Sequence, residues 1–65
     1  MIEDLEAIKL RAENNYLNYK IDRYTHLLVE HKFNNIERGL IEHYLGRMLR
    51  KKIENQKILE VLNQQ

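Results

Sequence analysis

Almost nothing in this chain is suited to stopping a helix: proline is absent, and Gly39 and Gly46 are the only glycines. Proline removes a backbone donor and clashes with the preceding turn, and a mid-helix glycine costs about 1 kcal/mol against alanine. With both scarce and long unbranched side chains abundant, helix is the most favourable backbone over most of the length. Strict apolar/polar alternation over a strand's length does not occur, which disfavours a sheet. No internal repeat, low-complexity stretch or linker divides the 65 residues, so they read as a single small domain.

The best break lies at His31-Lys32-Phe33-Asn34-Asn35. Two cations there would complement the partial negative charge of a helix C-terminus. Asparagine suits a left-handed exit, and it is also a good N-cap. Asn34 and Glu37 have the spacing of a capping box, with Asn in place of Ser or Thr. The reading is therefore helix 1 over about 2–32, a turn at about 33–35 and helix 2 over about 35–63. Glu3, Asp4 and Glu6 put negative charge in the first turn, where the helix dipole favours it. Asn63, Gln64 and Gln65 read as a fraying end. Two helices of nearly equal length joined by a tight turn make an antiparallel hairpin, each arm about 45 Å long.

Helical-wheel arithmetic gives helix 1 two apolar stripes about 150° apart. Leu5, Ile8, Ala12, Tyr16 and Tyr19 form the first, and Leu10, Leu17, Ile21, Tyr24 and Leu28 the second. Helix 2 carries a main stripe of Ile41, Tyr44, Met48, Leu59 and Leu62, with Leu45, Leu49 and Ile53 in a row beside it. One partner helix covers one stripe, and a core this small rarely stabilises a chain of this size alone. The expected architecture is all-α: an antiparallel two-helix hairpin that dimerises into a four-helix bundle, two-fold dimers being the commonest oligomers. The expected dimer seam is Leu5, Ile8, Ala12, Tyr16 and Tyr19 with Leu45, Leu49 and Ile53. No buried polar position marks the register of that dimer. Phe33 would close the turn end over the core, and close approach of another backbone would explain Gly46. An alternative breaks helix 1 at Asn14-Asn15, giving helices over about 2–13, 15–32 and 35–63.

Composition removes many functions. Without cysteine there is no disulfide framework and no thiolate metal site. The longest apolar run is Leu27-Leu28-Val29, far short of the roughly 20 residues of a transmembrane helix. No early stretch joins a basic start to an apolar core, so the expected location is cytoplasmic, with no membrane association. Serine is absent, Thr25 is the only threonine, and two glycines cannot build a phosphate-binding loop or a dinucleotide fingerprint. The carboxylate pairs do not converge, and His26 with Glu30 could supply only part of a metal shell. No catalytic residue, cofactor or metal is therefore expected, and the chain reads as a non-enzyme.

The most suggestive local feature is Gly46-Arg47-Met48-Leu49-Arg50-Lys51-Lys52. His43, Arg47, Arg50 and Lys51 project together on the wheel and are the candidate partner-binding strip, facing phosphates or an acidic protein surface. The same strip also reads as a solvated face, with Glu54 offsetting part of its charge and pairing with Arg50 or Lys57. A net charge of +1 argues against general nucleic-acid coating. The expected function is a small regulator that binds another protein as a homodimer. Abundant Asn, Ile, Lys and Tyr fit A+T-rich coding, as in many bacteria and their phages; surplus apolar surface on a helical chain with no catalytic set makes a bacterial or phage transcription or replication factor the expected partner. The architecture resembles that of the plasmid-copy-number Rop proteins, a hairpin dimerised into a four-helix bundle, and it carries no residue of theirs across. That shape implies the alternative function, direct RNA or DNA binding through paired basic strips. A purely structural assembly subunit is a third class.

Overall fold

The computed structural model describes residues 4–64, which form two helices, α1 (Leu5–Glu30) and α2 (Asn35–Asn63). Asp4 caps α1: its carboxylate accepts from the Glu6 N–H at 2.9 Å, satisfying one of the donors a helix start leaves open. The expected contributions of residues 2 and 3 to the first turn, and of Gln65 to the end, lie outside the described residues. α1 runs without interruption through Asn14-Asn15, so the three-helix alternative is set aside. Two asparagines cost a helix only tenths of a kcal/mol each, and the tertiary bond described below offsets that.

The turn differs from expectation at its entry. α1 stops at Glu30, and His31 is its C-cap, in an extended conformation, with its N–H donating to the Leu27 carbonyl at 3.0 Å. His31 and Lys32 thus follow the last turn instead of occupying it, and no residue there adopts positive φ. The chain leaves the helix by extending, which any side chain tolerates, so no asparagine is needed in a left-handed position. Its exit is as expected. The Asn34 side chain accepts from the Glu37 N–H at 2.8 Å, while the Asn34 N–H donates to the Glu37 carboxylate at 3.1 Å, a complete capping box. Phe33 is half-buried between exposed neighbours, with its ring 6.0 Å from that of His31.

The helices pack antiparallel along a rod of 50 × 15 × 13 Å. On α1, Ala7, Leu10, Asn14, Leu17, Ile21, Tyr24 and Leu28 are all buried or half-buried, and they recur at alternating steps of three and four. On α2 the same alternation runs through Ile41, Leu45, Met48, Lys52, Asn55, Leu59 and Leu62. This is the heptad seam of a coiled coil. Of the two apolar stripes of helix 1, the second is therefore the intramolecular one, extended by Ala7 and Asn14.

The register is fixed by a polar contact that the wheel did not single out. Asn55 is only 1% exposed, and its amide donates to Asn14 Oδ1 at 3.1 Å and to Glu13 Oε1 at 2.7 Å. Both amides of the Asn14–Asn55 pair are seam residues, so within the hairpin a buried polar position does mark register. Counting outward from this bond sets Leu17 across from Lys52, Ile21 from Met48, Tyr24 from Leu45, and Leu10 from Leu59. A seam lysine survives because its alkyl stem can lie along apolar surface while its ammonium reaches water.

Candidate partner-binding groove

The heptad seam leaves an open groove along one side of the hairpin. α1 contributes Tyr16, Lys20 and Tyr24 to it, and α2 contributes His43, Tyr44, Arg47, Arg50, Lys51 and Glu54, with Leu17 and Met48 in the floor. All four residues of the expected partner-binding strip, His43, Arg47, Arg50 and Lys51, line this one groove. They reach it because steps of three and four on α2 keep Tyr44, Arg47, Lys51 and Glu54 on the flank beside the seam.

The groove is more aromatic and more cationic than the strip alone. Tyr44 belongs to its wall, 57% exposed, and not to the core stripe in which the wheel grouped it. Lys20 holds its ammonium between two rings, 5.6 Å from the Tyr16 centroid and 5.8 Å from that of Tyr24. This ladder, Tyr16, Lys20 and Tyr24 at successive steps of four, places a cation over aromatic faces without a carboxylate. Its spacing is visible in the sequence, where Tyr16 and Tyr24 fall in the two apolar stripes of helix 1 and Lys20 is not singled out. Among the described residues, Lys20, Arg47, Arg50 and Lys51 form no ion pair. The expected pairing of Arg50 with Glu54 is not made: Arg50 Nε turns back one helical turn to the Gly46 carbonyl at 3.4 Å. The cations of the groove are thus left largely uncompensated by the chain's own acids.

The residues expected in a dimer seam are placed as follows. Leu5, Ile8, Ala12, Tyr16 and Tyr19 on α1 are exposed, as are Leu49 and Ile53 on α2. Tyr16 also forms part of the groove wall. Leu45 is half-buried in the intramolecular seam, across from Tyr24. Gly46 has no backbone near it within the hairpin: a Cβ there would meet only Arg50 Nη2, at 3.9 Å.

His26 turns toward Asp22, not Glu30. Its Nδ1 lies 2.8 Å from the Asp22 carbonyl and 3.5 Å from the Asp22 carboxylate. The backbone hydrogen bond first, and then the Asp22 charge, raise its pKa above the ordinary histidine value. Among the described residues, no three His, Asp or Glu side chains converge as metal ligands. No described helix is long and apolar enough to cross a membrane.

No family model, curated protein or solved structure matches this chain.

Proposed function

We propose that this chain is a non-enzymatic protein-binding module that works as a homodimer. One observation carries the reading: the hairpin covers too little of itself. Its accessible surface is 5569 Å², whereas a compact monomer of this mass exposes about 4,450 Å². The surplus, roughly 1,100 Å², is of the size that one partner contributes to a specific interface, about 800 Å². It is also apolar in character. Among the described residues, Ala7, Leu17 and Leu59 are the buried hydrophobic ones, while Leu5, Ile36, Leu40, Tyr44, Ile53 and Val61 are each more than half exposed. Such surface on a small helical chain finds its cover in another protein surface, whether a second copy or a partner.

A regulatory role, with a bacterial or phage transcription or replication factor as the bound partner, extends this reading. Its supports are the surplus apolar surface of a helical hairpin and an A+T-type composition that fits a bacterial or phage source. Sedimentation equilibrium between about 1 and 100 µM, a range set by typical dissociation constants, tests the homodimer. A two-fold mass is expected, and a mass of 8.0 kDa throughout would refute it. Recovery of a discrete protein from source lysate after nuclease treatment is the expected sign of a protein partner.

A further inference from the structure

We infer that the groove between α1 and α2 binds an acidic amphipathic helix of the partner protein. The inference rests on the protein-binding reading above and gives that partner a chemistry. The groove wall of α2 runs through Tyr44, Arg47, Lys51 and Glu54, and the same steps of three and four continue beyond it to Leu40 at one end and to Ile58 and Val61 at the other. Both ends of that row are apolar and exposed, and its middle carries two cations, Arg47 and Lys51, beside the single acid Glu54. Lys20, from α1, adds a further cation to the middle, held over the Tyr16 and Tyr24 rings. Among the described residues, none of these central cations forms an ion pair with a carboxylate. The matching occupant has apolar residues at its ends and carboxylates at its centre. A helix presents such a row at the same steps of three and four, and it packs into a groove flanked by two helices at the usual interaxial distance of about 8–10 Å.

The row argues against other occupants. A second copy docked groove to groove about a two-fold axis would bring Arg47, Lys51 and Lys20 against their own equivalents, and like charges juxtaposed in an interface cost several kcal/mol. A nucleic-acid strand would find cations and rings only in the middle. Glu54 and the apolar ends would offer its phosphates nothing, and a chain of net charge +1 has little capacity to release counterions. The homodimer contact then falls to the surface away from this groove, which leaves Leu5, Ile8, Tyr19, Leu49 and Ile53 free for it.

The probe is a synthetic helical peptide of about 21 residues, matching the span of the row at 1.5 Å per residue. It carries Leu and Ile at the end contact positions and Glu at the central ones. A second peptide has Lys in place of each Glu, and a thymidine oligonucleotide of similar length is the third ligand. Binding to the full chain is read by fluorescence anisotropy at low and at physiological salt. The acidic peptide is expected to bind at least tenfold tighter than the basic one, in line with the cost of like charges. The double variant Arg47→Glu/Lys51→Glu is expected to reverse that preference, while Lys57→Glu, outside the groove, leaves it unchanged. Circular dichroism of each variant guards against loss of fold. Equal binding of the two peptides would overturn the acidic chemistry and leave the protein-binding reading intact. Binding of the oligonucleotide with neither peptide bound would overturn both. No binding of any ligand would remove the groove as the site, with sedimentation still judging the homodimer.

Discussion

The Asn14–Asn55 pair gives a sharp energetic test, because two changes that are each near neutral should, made together, exceed their sum and give a large gain. Asn14→Leu removes the acceptor of the 3.1 Å bond. That loses about 1 kcal/mol of net hydrogen bonding and strands one amide proton of a fully buried side chain, for about another 1–3 kcal/mol. The new leucine, at a site 7% exposed, contributes about 1.5–3 kcal/mol of burial. The effects nearly cancel, and the single variant is expected within about 1 kcal/mol of the parent. Asn55→Leu works the same way from the other side, and Glu13, being exposed, loses its donor at little cost. In the double variant both leucines are buried and neither strands a polar group, so a gain of about 2–4 kcal/mol is expected. The double-mutant cycle therefore predicts a coupling of about 2–4 kcal/mol. Urea unfolding followed by helical circular dichroism measures it, at one protein concentration, because self-association shifts apparent stability. A double variant whose change merely sums the two singles would show that the amides do not act as a pair.

Other perturbations follow from local geometry. Gly39→Ala should stabilise by about 1 kcal/mol in thermal or urea unfolding, since a Cβ there meets nothing within 4 Å. Gly46→Ala should do the same in the hairpin, and a weakened dimer in that variant alone would place Gly46 at the contact between copies. Asn34→Ala removes the capping box and should cost about 1 kcal/mol, while Asn34→Gly should cost only a few tenths. The raised pKa of His26 means that its contribution is present below the unfolded value and fades as pH rises through the folded one. An NMR titration should find His26 above the ordinary histidine value, and Asp22→Asn should bring it part-way back, because the hydrogen bond to the Asp22 carbonyl remains. A His26 titrating at or below the ordinary value would remove that account.

The helical content, the capping box and the hairpin were legible because they depend on local chemistry. The missing breakers decide the first, and the Asn34 and Glu37 spacing the second. The seam was only partly legible. Sorting residues by hydropathy recovered Leu10, Leu17, Ile21, Tyr24 and Leu28, but it passed over Asn14, Lys52 and Asn55, which complete the steps of three and four. A heptad position is defined by geometry and not by apolarity, so a polar residue there shows itself only when the spacing is counted through it. The error at Tyr44 has the opposite sign: it was placed in the core for its ring, although it sits one step off the seam. The basic strip was legible from a local run of cations that the wheel brings to one side of helix 2, whereas Lys20 was missed because its partners are rings on its own helix.

Burial is uneven along the rod, and that bears on where a partner must act. Among the described residues, every buried one, Ala7, Asn14, Leu17, Asn55 and Leu59, lies in the half that carries the chain ends. In the half near the turn the seam side chains are larger, Ile21, Tyr24, Leu28, Ile41, Leu45 and Met48, yet each is only half-buried. Large apolar groups with partial cover contribute less than their volume allows, since the gain follows the area removed from water. Local opening should therefore begin at the turn half, although that half holds more apolar bulk. Amide hydrogen exchange is expected to be slowest around Leu17 and Asn55–Leu59 and faster across Ile21–Leu28 and Ile41–Met48. The groove reaches into the faster half through Tyr24, His43, Tyr44 and Met48, so a ligand seated there should slow exchange in that half more than around Asn14 and Asn55. Exchange that is slowest near the turn in the free chain, or protection confined to the chain ends on binding, would refute this division of labour.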